Sequence, residues 1–211
     1  MIFKKERKAV AKTMRRLYKQ GLTTSSGGNV SLKNEDGFVF ITAGQTDKSC
    51  IKWQDIVVFD ENKKNITPEI KPSMESGMHL KIYDTRKDVF AIVHSHPIFA
   101  SSFAIAGSIP KTNLSGEARF ILGEVSLAEY ELMGTESLAK ELADKLQNND
   151  VCIMKNHGAI SVGKTLFEAF DKIEVLEFTC HLNINSLILN KVNELNDKQI
   201  QEIDELKKHK S

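Results

Sequence analysis

Three of the six histidines stand where an ion could be held. His94 and His96 lie in "AIVHSHPIFASS", behind a short apolar run. On a strand, residues i and i+2 share a face, so these imidazoles point the same way with Ser95 opposite. The spacing alone fits the polar tip of a strand as well as a ligand pair. His157, in "KNHGAI" after a second apolar run, adds a third imidazole, and Gly158 lets the backbone turn sharply there. Two neighbouring strands ending at one edge would bring the three together. Three neutral imidazoles with an open fourth position are the donor set of a Lewis-acid zinc site, and imidazole also suits other first-row metals. His79 and His181 fall on helices, in core or partner contacts, and His209 lies in the polar tail.

"KPSMESGMH" places Glu75 in the first turn of a helix that begins at Pro72-Ser73. A carboxylate is favoured there by the helix N-terminus, and beside a metal it is also a general base. "TTSSGGNVS" is a loop of small residues in which Gly27 and Gly28 can expose backbone N–H groups and Asn29 adds an amide donor. Such a loop is either a plain turn or an anion cradle. "ITAGQTDK" is a second loop of the same character.

The elements that must position these residues follow from periodicity. Val10, Met14 and Leu17 stripe a helix that Gly21 is placed to end. "NVSLKNEDGFVFITAG" reads as two strands about an Asp36-Gly37 turn, and "IVVFD" as a buried strand. "VFAIVHSHP" is a strand closed by Pro97, and "VCIMKNHG" a strand breaking at Gly158. Thr135 caps a helix striped by Leu138, Leu142 and Leu146, and "TLFEAFDKIEVLEFTCHLNINSLILN" is a long, largely apolar helix. The remainder to Ser211 is a short helix or tail. Strands and helices alternate without a clean βαβ rhythm, so the expected fold is one α/β domain over residues 1–211, its sheet mixed or mainly antiparallel and covered by helices.

A length of 211 residues suffices for a full core, and 41% hydrophobic with 27% charged residues is the balance of a globular protein. The net charge of +1 gives no field for nucleic acid or an anionic membrane surface. The N-terminus lacks the apolar segment of a signal peptide, and no run approaches the ~18–20 apolar residues of a membrane span. A cytoplasmic protein is expected. Cys50, Cys152 and Cys180 are odd in number and widely spaced, so they are expected as reduced thiols in or near the core.

In their order along the chain, "SSGGNVS", "ITAGQTDK", "KPSMESGMH", "VHSHP", "LGEVSLAEYELMGT" and "KNHGAI" resemble the class II aldolase and adducin-head family, and most nearly its fuculose-phosphate aldolases. The resemblance spans residues 21–163. It implies a three-layer α/β/α fold around a largely antiparallel sheet, in a homotetramer with sites at subunit interfaces. It also implies a divalent metal, usually Zn2+, on His94, His96 and His157, with Glu75 as the acid/base carboxylate. Gly28, Asn29, Gly44, Gln45, Ser73 and Met74 fall on the positions that hold the substrate phosphate. The chain departs from the pattern at Gly44-Gln45, where relatives show Ser-Gly or Thr-Gly, and at Met74, where fuculose-phosphate aldolases carry a second serine. Leu114 stands at the position of the tyrosine that aldolases use near the aldehyde, with charged Glu117 and Arg119 close by.

The expected activity is therefore a zinc-dependent, reversible cleavage of a sugar phosphate, such as L-fuculose 1-phosphate or a related ketose 1-phosphate, into dihydroxyacetone phosphate and an aldehyde. The alternatives on the same scaffold are a sugar-phosphate 4-epimerase and a methylthioribulose-phosphate dehydratase. Glu75 favours the aldolase, since epimerases of the family carry aspartate there. A non-enzymatic adducin-like module would not need the three histidines and Glu75.

Overall fold

The computed structural model describes residues 3–209. Helix α1 (Lys4–Lys19) buries Val10, Met14 and Leu17, the expected stripe, together with Ala11, and Gly21 follows its end at φ 71°. The β1 (Asn29–Lys33) and β2 (Val39–Thr42) strands form the anticipated hairpin, with Gly37 at φ 86° in its turn. Strand β3 (Ile56–Phe59) completes that half of the sheet. Then come α2 (Ser76–Thr85), β4 (Ala91–Ser95), α3 (Ile98–Ala106), α4 (Gly116–Leu122) and β5 (Val125–Ala128). The chain ends with α5 (Glu136–Lys145), β6 (Val151–Met154), β7 (Gly158–Gly163), α6 (Leu166–Leu189) and α7 (Asp197–Lys208).

The seven strands lie in the order β3-β2-β1-β4-β7-β6-β5, and every pairing is antiparallel except β5 with β6. Alternation along the strands divides the core in two. Val30, Phe40, Ala91, Val93 and Ile153 pack against α1, α3, α4 and α6. Ile41, Val57, Ile92, Ile160 and Val162 pack against Met78, Ile82, Leu138 and Leu142 of α2 and α5. The result is the expected three-layer α/β/α arrangement.

Two local readings change. The segment before α2 is not helical: Pro72 bridges to Ala43, and Gly44 N–H donates to Lys71 C=O at 3.2 Å. This tertiary pairing takes the backbone that a helix would need, so α2 starts at Ser76 and Glu75 is its N-cap residue, with φ −93° and ψ 9°. Gly158 does not break a strand either; it opens β7, and the preceding turn is made by Asn156 at φ 54°. Among the thiols, Cys152 and Cys180 are buried, whereas Cys50 is exposed. No helix of the described residues is long and apolar enough to cross a membrane.

Candidate metal centre and its cleft

Strand β4 carries His94 on the face turned toward α2 and releases His96 just past its end, where Pro97 stops the strand. Antiparallel β7 brings its first residues beside that end, with Ser95 opposite Ala159, so His157 in the β6–β7 turn arrives next to the pair. One nitrogen from each imidazole lies within 4.8 Å of the others. The ring centroids are 4.8, 4.8 and 5.3 Å apart, and His94 Nε2 stands 3.1 Å from His96 Nε2. Two imidazoles on a tetrahedral ion at ~2.0–2.1 Å would hold their nitrogens about 3.3 Å apart.

The backbone fixes which nitrogen faces inward. His94 Nδ1–H donates to Ala159 C=O at 3.0 Å, which leaves the Nε2 lone pair for a ligand. Burial pushes His94 below the usual imidazole range, with His157 adding to it and Glu75 opposing. Burial, with His94 and His157, pushes His96 down to about 3. His94 and His96 are thus held as neutral imidazoles, each with one nitrogen free to act as a ligand. Glycines let them in: a Cβ on Gly27 would stand 2.6 Å from His96 Nδ1, and one on Gly158 would stand 2.5 Å from His96 Cδ2. Gly158 is needed for this close approach rather than for the turn.

Glu75 closes the fourth side. Its Oε1 lies 3.2 Å from His157 Nε2 and its Oε2 3.4 Å from His94 Nε2. Glu75 Oε1 and His157 Nε2 are buried and have no hydrogen-bond partner. Such orphaned lone pairs, facing one another with the bare nitrogen of His94, fit a divalent cation, which would satisfy them together. Burial alone would raise the Glu75 carboxyl, but His94, His157 and the amide of Asn29 outweigh it and hold it well below the usual carboxylate range. Asn29 reaches this position because β1 pairs it directly with His94, and its Nδ2 donates to Glu75 Oε2 at 2.7 Å.

Glu75, His96 and His157 line a cleft of about 290 Å³ together with Gly28, Asn29, Gly44, Gln45, Ser73 and Met74, while His94 is buried beside Glu75. The two small-residue loops and the segment before α2 therefore meet at one place, and Asn29 Nδ2 also contacts Ser73 Oγ at 3.4 Å. Gln45 adopts a left-handed φ of 55° in its loop. The cleft also holds Lys48 and Met133, which pattern reading passed over. Lys48 ends the quoted "ITAGQTDK" motif, and its signal was a cation beside an anion-cradle loop. It is buried, with Nζ donating to Ala43 C=O at 2.6 Å and to Thr46 Oγ1 at 3.2 Å. Burial, opposed by Asp55, pulls the ammonium down to about 8.

Other singled-out residues lie elsewhere. Leu114 sits in a short 3-10 turn and is not among the residues lining the cleft. Arg119 is taken by Asp204 of α7, at 2.8 and 2.6 Å, with Glu124 nearby, so α7 docks on its own chain. Residues 210 and 211 lie outside the described residues. His181 stacks on Phe99 with centroids 3.9 Å apart, and buried His79 bonds to Asn29.

Comparison with known proteins identifies the family and supports the fold. Residues 8–184 match the model of the class II aldolase and adducin N-terminal domain. The L-fuculose phosphate aldolase of Methanocaldococcus jannaschii is 33% identical over 88% of this chain and 99% of its own. The 5-deoxy-D-ribulose 1-phosphate aldolase of Bacillus thuringiensis is 32% identical over 86% of this chain and 85% of its own. A solved L-fuculose 1-phosphate aldolase superposes with a TM-score of 0.88 at 28% identity, over 97% of this chain and 96% of that one. Fold and sequence thus converge: this chain belongs to the class II aldolase and adducin N-terminal domain family.

Proposed function

We propose that this protein is a zinc-dependent aldolase that reversibly cleaves a ketose 1-phosphate, such as L-fuculose 1-phosphate or a 5-deoxy-ketose 1-phosphate, into dihydroxyacetone phosphate and an aldehyde. The observation that carries the reading is the Glu75 carboxylate held against His94 and His157 at the floor of a cleft rimmed by two small-residue loops. His94, His96 and His157 would hold the ion. When bound, it would act as a Lewis acid toward the carbonyl and hydroxyl oxygens of the dihydroxyacetone phosphate unit.

Everything else falls to the chain's own groups. Glu75 rests ionised, which suits a base that takes the proton from the carbon beside the carbonyl in the condensation direction and returns it there in cleavage. Asn29 holds Oε2, leaving Oε1 to move the proton. The phosphate is assigned to the region of Gly28, Asn29, Gly44, Gln45, Ser73 and Met74, where backbone N–H groups and the Ser73 hydroxyl replace the hydroxyls lost at Gly44 and Met74. Lys48 supplies positive charge close by. Met74 and Met133 present apolar surface to the cleft, consistent with a weakly polar aldehyde portion. Assembly as a homotetramer is part of the proposal, supported by exposed Leu187, Ile188 and Leu189 at the end of α6.

A screen of ketose 1-phosphates and 5-phosphates, with and without added zinc, tests the reading by following dihydroxyacetone phosphate release. Zinc-dependent release is expected. An epimer or a dehydrated sugar as sole product would assign the scaffold to another reaction, and no turnover with no bound metal would leave a binding module.

A further inference from the structure

A chain of buried hydrogen bonds leaves the site through Asn29 and runs between β1 and α2. Asn29 Nδ2 donates to Glu75 Oε2 at 2.7 Å, and Asn29 Oδ1 bonds to His79 Nε2. His79 Nδ1 lies 2.7 Å from Ser31 Oγ, which lies 2.8 Å from the Tyr83 hydroxyl. All five residues are buried, so their polar atoms must satisfy one another.

The direction of every link is then forced. An ionised carboxylate only accepts, so Asn29 turns its NH2 to Glu75 and its carbonyl to His79. A carbonyl also only accepts, so His79 Nε2 carries a proton. Burial, reinforced by His94 and opposed by Glu75, pushes the His79 imidazole down to about 3, which leaves Nδ1 a bare acceptor for the Ser31 hydroxyl. Ser31 in turn accepts from Tyr83, whose other acceptor, Phe90 C=O, is farther away at 3.4 Å. All the donors point toward Glu75.

We propose that His79 is a positioning residue for the acid/base carboxylate: its Nε2–H fixes the Asn29 amide plane, and Asn29 thereby fixes Glu75 with Oε1 toward the substrate. The proposal rests on the reading of Glu75 as the acid/base. His79 touches neither the triad nor the cleft; it acts because an amide is nearly symmetric in shape. Without the Nε2–H, the Asn29 amide can turn its carbonyl onto the carboxylate, and like partial charges then push Glu75 out of line.

The test uses the zinc-loaded full chain and has two arms. Nitrogen NMR on [15N]histidine-labelled protein at pH 7.5 should show His79 as the neutral Nε2–H tautomer, assigned by its loss in His79→Gln. Kinetically, His79→Leu keeps the bulk but removes the donor, whereas His79→Gln places an N–H near the Nε2 position. His79→Leu should lower kcat roughly 10- to 100-fold with KM within about threefold and zinc content unchanged, and His79→Gln should recover most of the loss. A merely structural role would lower kcat and folded fraction in parallel in both variants. An Nδ1–H tautomer, an imidazolium, or a His79→Leu enzyme with wild-type kcat overturns the proposal. Should His79→Leu fail to fold, the tautomer decides. If no sugar phosphate is turned over, the tautomer still reports on the hydrogen-bond chain, so failure of the aldolase reading stays separate.

Discussion

A single methyl group added at Gly158 should weaken the metal site from outside it. The alanine Cβ would stand 2.5 Å from His96 Cδ2 and 2.6 Å from Ser95 C=O. Carbon atoms rest at ~3.5–4.0 Å, so a gap of about 1 Å must be found. The Ser95 side cannot supply it, because that carbonyl belongs to the end of β4 where Ser95 pairs with Ala159. The His96 ring must yield, on a strand tip already crowded by Gly27. Overpacking of this kind costs about 1–3 kcal/mol. If the strain falls on the ligand geometry, zinc affinity drops about 5- to 150-fold, at tenfold per 1.4 kcal/mol. If it falls on the fold, the metal-free protein melts lower by about 2–4 °C per kcal/mol at this size. Chelator competition for zinc and melting curves with and without metal separate the two. Gly77→Ala is the control: it lies in α2 with nothing within 4 Å of its Cβ, and should stabilise by up to about 1 kcal/mol. A Gly158→Ala protein with wild-type zinc affinity and wild-type melting would refute the steric reasoning.

Other outcomes follow from the same geometry. Glu75→Gln should keep stoichiometric metal yet lose cleavage by at least about 100-fold, measured by coupled detection of dihydroxyacetone phosphate. His157→Ala should bind less than one zinc per chain by elemental analysis, and removing the metal with a chelator should abolish turnover until zinc is returned. Lys48 is held at about 8 in the fold against 10.5 unfolded, so above pH 8 the unfolded chain binds the extra proton. Stability relative to Lys48→Met should therefore rise between pH 8 and 10.5, by roughly 2–4 kcal/mol in all. Urea unfolding of both proteins at pH 7.5 and 10 reads this difference, and a pH-independent gap would contradict it. Asp204→Asn should speed proteolysis of α7 modestly, an exposed pair being worth about 1 kcal/mol or less.

The sequence is most readable where chemistry and periodicity coincide. The i, i+2 histidines at the tip of a strand and a third in the turn after a later apolar run are close in space because β4 and β7 are antiparallel neighbours. Helices α1 and α6 show in their apolar stripes. By contrast, α3 was hidden because its residues are apolar nearly all round, with Ile98 and Ile105 exposed and only Ala100 and Ala104 buried. Strand β5 is four residues long and lost among loop residues. The start of α2 departs from its local start signal because pairing of Pro72 with Ala43 overrides it. His79 looked like a core histidine; its partners Asn29 and Ser31 sit about fifty positions earlier, and no local pattern announces them.

Strands β4 and β7 are buried on both faces along their whole length. They consequently lack the polar–apolar alternation by which most strands find their alignment, and a shift of two positions would still bury apolar side chains, setting Ile92 against Ile160 in place of Val162. Hydrophobic burial is a weak judge of which alignment is right. A cation bridging His94 and His157 is a strict one, since only the pairing of Ser95 with Ala159 brings both rings to it. Ligand that binds the native alignment alone stabilises it by about 4 kcal/mol at a thousandfold excess over Kd. The catalytic ion would thus double as a proofreader of folding, and refolding with zinc present should raise the yield of correctly aligned chains.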